Sequence, residues 1–192
     1  MEIYIESKRK KIDKLLKKYP SAEIIDVTTK GIQPWIKFSP FFPHGNIPIP
    51  FSKDIKSTSV EGVWQALKVF ERNDIDLLKL DIKTMKGLKR SIKSYGKVLG
   101  HKKGINEDVL LGYLEARKFI YLPTYKWVLD NNLQEEIQKL KELLINKSIV
   151  FLDYETNEDI CNLSKPLSHA SLIKKYLMDI WPRFEMLSGN VS

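Results

Sequence analysis

The chain has 192 residues, of which 43% are hydrophobic, and this length and composition predict one domain with a sizeable core. Its single cysteine, Cys161, excludes an intrachain disulfide and a cysteine cluster for zinc. The net charge of +8 fits a phosphate-bearing partner, either a nucleotide or a nucleic acid, and does not choose between them.

The N-terminal segment is charged throughout. Ile12, Leu15 and Leu16 give it a narrow apolar stripe, which predicts a basic surface helix ending at Pro20. We treat residues 1–20 as an extension of one domain that spans the chain. There is no signal-peptide hydrophobic region, and no apolar run approaches the length of a membrane span. We therefore expect a cytoplasmic protein with no membrane partner.

Short strands are predicted next. Residues 22–27 are rich in β-branched side chains and predict one strand, and residues 35–38 predict a second. A proline-bounded loop follows with Phe41, Phe42 and Asn46, and each phenylalanine either packs in the core or lines a pocket. Residues 47–51 are apolar but contain two prolines, so they form at best an edge strand.

The strongest pattern in the chain starts at Thr58. Thr58 followed by Glu61 fits a capping box ahead of an apolar run, which predicts a helix. At about 100° per residue, one side of this helix is apolar. The other side carries Glu61, Trp64, Gln65 and Lys68, and two helical turns, or roughly 10 Å, separate Glu61 from Lys68.

Two interpretations of this second side are open. In one, Glu61 completes the cap, Lys68 is solvated and Trp64 packs under a loop. In the other, the same side lines a pocket. A carboxylate, an amine, an amide and an aromatic plane would then hold a sugar or a base by stacking and hydrogen bonds.

The rest of the chain is predicted to be mostly helical. The predicted elements are a basic helix over 83–94, a long helix over 106–121 that Pro123 breaks, an amphipathic helix over 134–144, a strand over 148–153 and a last helix over 168–181 capped by Ser168. Together the elements predict an α+β, mostly helical single domain with a small β-sheet.

The segment Glu61-x-x-Trp64-Gln65-Ala66-x-Lys68, with a serine or threonine just before it, resembles the signature helix of the NADAR (NAD and ADP-ribose associated) family. Leu99-Gly100-His101, Lys118-Phe119 and the acidic turn around Asp159 are similar to further family elements, in the expected order. Family members are N-glycosidases: some cleave phosphorylated riboflavin-pathway intermediates, and others remove ADP-ribose from guanine bases. The resemblance implies a NADAR-like domain that hydrolyses the bond between a base or amine and a phosphorylated ribose or ADP-ribose, free or on nucleic acid.

The resemblance also implies a set of site residues. The implied catalytic residues are Glu61, Lys68 and Asp159, and the implied substrate-binding residues are Phe41, Phe42, Asn46, Trp64, Gln65, His101, Lys118 and Asn157. The chain departs from the family's pattern after Asp159, where it has no Trp-Gly and no glycine-rich stretch.

Glu61 and Lys68 have distinct predicted roles. A carboxylate can stabilise the cation-like sugar of N-glycoside cleavage or position water, and a helix N-terminus favours the ionised form of Glu61. Lys68 either holds a phosphate as a cation or attacks the sugar carbon as a neutral amine to form a Schiff base. The second role needs its pKa to fall from about 10.4 to roughly 7–8. Because a nearby carboxylate opposes that fall, we expect that the two side chains do not touch.

The sequence contains no pattern typical of a metal site or of a cofactor site. The three histidines show no metal-ligand spacing and no glycine-rich phosphate loop is present, so we assign no metal and no cofactor. The alternative function is a non-enzymatic protein that binds nucleic acid or ADP-ribose. In that case the basic residues 83–97 track phosphates while Trp64, Tyr95 or Tyr125 stack on bases.

Overall fold

The computed structural model describes residues 1–185 and has the predicted α+β fold. The strands are β1 (Ile3–Ser7), β2 (Glu23–Asp26), β3 (Ile47–Pro48), β4 (Lys56–Ser57), β5 (Lys68–Phe70), β6 (Val98–Lys102), β7 (Leu110–Leu111) and β8 (Ile149–Asp153). The α-helices are α1 (Ile12–Lys18), α2 (Val60–Ala66), α3 (Ile92–Tyr95), α4 (Tyr113–Ala116), α5 (Leu122–Asn132), α6 (Gln134–Asn146) and α7 (His169–Leu177). Within residues 1–185, no helix has both the length and the apolar character needed to cross a membrane.

A parallel sheet with the strand order β1-β8-β2 forms the centre of the fold. Every residue of β8 is buried, as expected for a strand covered on both faces. Ile149 and Phe151 belong to the main hydrophobic core, whereas Val150 and Leu152 cluster with Leu15 of α1. β2 and β8 confirm two of the predicted strands.

The N-terminal segment contributes more than the expected helical extension. α1 is limited to Ile12–Lys18, and the residues before it form β1, which pairs along its whole length with β8. Ile3 and Ile5 pack against the main core because alternate residues of a strand point to the same face. The first residues of the chain therefore belong to the central sheet.

Of two other predicted segments, the strand over 35–38 was wrong, and residues 47–51 form only a short edge strand. Residues 35–38 form a 3₁₀ helix, in which the three-residue spacing puts Trp35 and Phe38 on the same side, stacked at 6.3 Å between ring centroids. Residues 47–51 pair only through β3, since Pro48 and Pro50 offer no ladder donor. β3 joins β4 in a two-stranded antiparallel sheet, and β5, β6 and β7 form a three-stranded one.

The basic helix predicted over 83–94 was wrong. Only α3 is helical there, and residues 83–91 have irregular backbone. Gly87 has a φ of +76°, which is outside helical geometry. Leu88 is buried while its lysine neighbours are exposed, so this segment has no continuous apolar stripe to pack as a helix.

The helix predicted over 106–121 begins later and extends further than expected. Its first part forms β7, after which α4 leads through a π-helical turn (Arg117–Tyr121) into α5. Pro123 does not break this helix because it lies in the first turn of α5, just after the wider π turn, where a proline is tolerated. α6 and α7 confirm the last two predicted helices, and Ser168 caps α7 as predicted.

Candidate functional site

A cleft of about 740 Å³ lies at the carboxyl ends of the parallel strands. Thr28 and Thr29, just after β2, and Asp153 and Tyr154, at the end of β8, contribute to its lining. The carboxyl ends of parallel strands are a usual ligand-binding edge, because the strand ends and their loops converge there. The cleft is also of a size typical for small-molecule sites, roughly 300–1,000 Å³.

α2 supplies the wall of the cleft that the sequence singled out. Its N-cap is Ser59, whose Oγ accepts a hydrogen bond from the Gly62 N–H at 3.0 Å, so the predicted capping box at Thr58 was wrong. The Thr58 hydroxyl instead donates to the carbonyl of Leu80 at 3.0 Å. Gly62 allows a close approach here, since a Cβ at this position would meet the Lys79 carbonyl oxygen at 2.8 Å.

Glu61 is a buried carboxylate held in a fixed position inside the cleft. Its Oε1 accepts a hydrogen bond from Gln65 Nε2 at 2.8 Å, and Gln65 Oε1 in turn accepts from the Arg90 backbone N–H at 3.1 Å. Burial raises the pKa of Glu61, and the Gln65 hydrogen bond and the Lys68 charge offset only part of that rise. Burial therefore acts against the ionised form that the helix N-terminus was expected to favour.

Lys68 lines the cleft from β5 and not from the helix. α2 ends at Ala66, and the Arg90 guanidinium donates to the carbonyls of Gln65 and Lys68 at 3.1 Å and 2.6 Å. The Arg90 side chain thus takes the place of the backbone N–H groups that would bond to these carbonyls if the predicted helix continued. Lys68 still reaches Trp64, with Nζ 5.7 Å from the ring centroid.

The Lys68 amine is desolvated without a counter-ion in direct contact. Burial lowers its pKa, and the charge of Glu61 acts in the opposite direction. Among residues 1–185, no carboxylate oxygen lies within 4.0 Å of Lys68 Nζ. The structure thus has the expected separation of Glu61 from Lys68.

Aromatic rings form much of the remaining wall. Trp64 packs against Tyr121 at 5.6 Å and Tyr113 at 5.9 Å between ring centroids, and all three line the cleft. Phe41 lines another part, with Lys89 Nζ 5.5 Å from its ring centroid. These flat surfaces suit a planar or sugar-like ligand.

His101, a predicted binding residue, lies behind this wall and outside the cleft lining. Its ring packs against Trp64, tilted by 33° with 3.8 Å between centroids, and only 1% of its surface is exposed. Neither ring nitrogen has a hydrogen-bond partner in the described residues, and burial lowers the pKa of His101 to about 3. The geometry gives it the role of a neutral ring that supports Trp64.

Other predicted residues also lie outside the cleft lining. Phe42 packs beside His44 at 4.9 Å between ring centroids, and Asn46 occupies an exposed turn with a φ of +56°. Lys118 Nζ lies 4.6 Å from the ring centroid of Phe184.

Asn157 and Asp159, the two residues of the acidic turn that were assigned to the site, hydrogen-bond to the backbone of that turn. Asn157 Nδ2 donates to the carbonyls of Asn162 and Lys165 at 3.1 Å and 3.2 Å. Asp159 is exposed, and its Oδ1 accepts from the Cys161 N–H at 2.8 Å. Asp159 therefore does not join Glu61 in the cleft.

Two further carboxylates line the cleft, Glu155 and Asp153, and Asp153 is paired with His169. His169 Nδ1 lies 3.0 Å from Asp153 Oδ2, and His169 Nε2 lies 2.8 Å from the Val27 carbonyl oxygen. Because both neighbours are acceptors, this arrangement favours hydrogen on both ring nitrogens, which is the imidazolium form. Burial acts to lower the pKa of His169, but Asp153 raises it overall. The cleft thus contains a buried cation next to Glu61, which sequence reasoning missed.

Arg117 was also missed, and it fixes the loop that carries part of the lining. It is almost fully buried, and its guanidinium donates to the carbonyls of Ile160, Asn162 and Lys165 at 2.7–3.1 Å. These bonds tie residues 160–165 to the π turn. Pro166 and Leu167, which line the cleft, follow directly.

The donor set gives no sign of a metal site: within residues 1–185, no group of three or more His, Cys, Asp or Glu side chains could hold an ion. Residues 7–173 match the model of a family described as "Family of unknown function (DUF6939)". No curated protein matches the chain.

Proposed function

We propose that this chain, which belongs to the DUF6939 family, is an N-glycosidase. It hydrolyses the bond between a base or amine and C1′ of a phosphorylated ribose or an ADP-ribosyl group. The observation that carries the proposal is that Glu61 and Lys68 share one desolvated cleft without direct contact. Burial raises the pKa of the carboxyl and lowers that of the amine, so an acid and a free amine can coexist there. The same two residues carry the resemblance to the NADAR signature.

The chemistry divides between the two side chains. Neutral Lys68 Nζ attacks C1′, and the C1′–N bond breaks with its electron pair passing to the base nitrogen, which takes the proton of Glu61. Once bonded to C1′, Nζ is positively charged, and it loses a proton to the Glu61 carboxylate. Glu61 returns that proton to O4′ as the sugar ring opens to a Schiff base, and water then hydrolyses the Schiff base, releasing the sugar phosphate and the amine.

The remaining lining supports this substrate class. Trp64 and Tyr121 present flat surfaces on which a base can stack. The exposed Lys89 ammonium, which lines the cleft, offers a charged donor for phosphate oxygens.

The test is release of free base, measured by liquid chromatography and mass spectrometry on a panel of phosphorylated ribosides and ADP-ribosylated nucleosides and oligonucleotides. Wild-type protein should release base from at least one. Glu61→Gln should lose about 100-fold or more in rate, which is the usual contribution of a general acid. Lys68→Arg should be inactive because arginine is not a nucleophile at neutral pH.

Asp159→Asn is the matched control, since it changes an exposed carboxylate outside the cleft and should retain activity. Base release by Glu61→Gln at the wild-type rate would overturn the proposal. Tight binding of ADP-ribose with no base released from any substrate would favour the binding-protein alternative. An active Lys68→Arg protein would assign Lys68 to phosphate binding and leave hydrolysis to Glu61.

A further inference from the structure

A second concavity, of about 340 Å³, lies next to the cleft and is strongly basic. Its lining consists of Arg9, Lys10, Lys11, Lys14, Leu15 and Lys18. Lys11, Lys14 and Lys18 are spaced by three and four residues, which places them on one side of α1. Leu15 is buried at the base, so the cations form the walls.

Internal ion pairs neutralise only part of this charge. Glu6 is buried and accepts hydrogen bonds from Lys10, Lys18 and Tyr19, which fixes these side chains in place. Burial acts to raise the pKa of Glu6, but the bonds from Lys10 and Lys18 lower it to about 2. Within residues 1–185, Arg9, Lys11 and Lys14 make no salt bridge. Glu6 thus holds the surrounding side chains in position, and the concavity keeps a net positive charge.

Two aromatic rings lie beside the concavity, next to Lys18. Tyr4 and Tyr19 pack with 4.6 Å between ring centroids, and Lys18 Nζ lies 4.9 Å from the Tyr19 ring centroid. A basic groove with interleaved aromatic rings is the usual construction of a surface that binds single-stranded nucleic acid, since phosphates pair with the cations and bases stack on the rings.

The basic concavity and the cleft share a wall. Arg9 Nη1 donates to the Tyr154 carbonyl at 2.7 Å, and the Arg9 guanidinium carbon lies 5.3 Å from the centroid of the Tyr154 ring. Arg9 lines the concavity, and Tyr154 lines the cleft. The contact follows from the sheet, because the segments after β1 and β8 leave at the same edge, where the Lys8 N–H donates to the Asp153 carbonyl at 2.8 Å.

We infer that the basic concavity binds the phosphodiester backbone of a single-stranded nucleic acid and that the strand passes Tyr154 to deliver one nucleotide to the cleft. Backbone binding depends only on the cations and rings described above. Delivery of a nucleotide rests on the proposed function, and it makes a modified nucleic acid, and not a free nucleotide, the substrate.

The test is fluorescence anisotropy with a short fluorescein-labelled single-stranded oligonucleotide and full-length protein at several salt concentrations. We expect salt-dependent binding, with a slope that becomes shallower by roughly 0.7 for each phosphate that a variant no longer neutralises. Lys11→Glu with Lys14→Glu should weaken binding about tenfold or more. Lys139→Glu with Lys141→Glu, which makes the same charge change at exposed positions of α6, should leave it nearly unchanged. Tyr154→Ala should weaken binding roughly 5- to 100-fold because a base can no longer stack on the ring.

Equal affinities of the α1 and α6 double variants would overturn the inference, as would the absence of oligonucleotide binding. Preferential binding to phosphatidylserine vesicles over the oligonucleotide would also overturn it and assign the concavity to an anionic membrane surface. Because anisotropy requires no turnover, an inactive protein that binds the oligonucleotide as described would contradict the proposed function and leave the backbone-binding surface standing.

Discussion

His101→Phe should make the protein more stable in acid, although it replaces a fully buried side chain. His101 packs against Trp64 with 33° between the two ring planes, and phenylalanine keeps a planar ring in that position. The substitution removes two ring nitrogens that have no hydrogen-bond partner in the described residues. Each buried, unsatisfied polar group costs about 1–3 kcal/mol, so the variant should be at least as stable as the wild type at neutral pH.

The stability difference between the variant and the wild type should also depend on pH, by an amount that can be calculated. Burial lowers the pKa of His101 from 6.5 to about 3 in the folded protein. Between these values the unfolded chain holds a proton on His101 and the folded protein does not, so falling pH favours unfolding. The advantage of the variant over the wild type should therefore grow by about 1.4 kcal/mol per pH unit below pH 6.5, or about 2 kcal/mol between pH 7 and pH 5.

Urea denaturation of both proteins between pH 4 and pH 8 measures this difference. Above pH 7 the two plots of unfolding free energy against pH should run parallel, with the variant at least as stable, and below pH 7 they should diverge. Other titrating groups are common to both proteins and cancel in the comparison. Parallel profiles over the whole range would mean that His101 is solvated or hydrogen-bonded, and would refute the assignment of a neutral supporting ring.

Three further substitutions test the framework of the cleft. Asp153→Asn should lower the pKa of His169 below 6.5, and it should also reduce the free energy of unfolding at neutral pH by about 3 kcal/mol. An unchanged imidazole titration by NMR would contradict the ion pair. Arg117→Met should speed amide hydrogen exchange in residues 160–167 but not in α6, and uniform protection across both would contradict the tethering role. Ser59→Ala should cost about 1 kcal/mol in thermal unfolding, as removal of an N-cap does, and an unchanged stability would argue against this cap.

The elements that the sequence predicted well are those specified by local pattern. The apolar, β-branched run that becomes β8 is buried on both faces, and its composition alone indicates a strand. Ser168 is recognisable as a cap because serine before an apolar periodic segment satisfies the free N–H groups of a helix. Glu61, Trp64 and Gln65 reach one cleft because helical spacing places them on the same part of α2.

The predictions that were wrong depend on contacts between residues distant in sequence. α2 ends before Lys68, where Arg90, more than twenty residues later, occupies the nearby carbonyls. Asp153 lies in the cleft and pairs with His169. No sequence pattern around either residue indicates this pair. Asp159 matches the predicted second carboxylate of the site in residue type and in order along the chain. Its carboxylate instead accepts a hydrogen bond from the backbone of its own turn.

The most direct test of the central claim, an amine nucleophile at Lys68, is borohydride trapping. Wild-type protein would be mixed with a substrate that yields free base, reduced with borohydride during turnover and examined by intact mass and peptide mapping. We predict a reduced sugar-phosphate adduct on the peptide that contains Lys68, and no adduct with Lys68→Arg. Base release with no adduct, or an adduct on a different lysine, would contradict the claim.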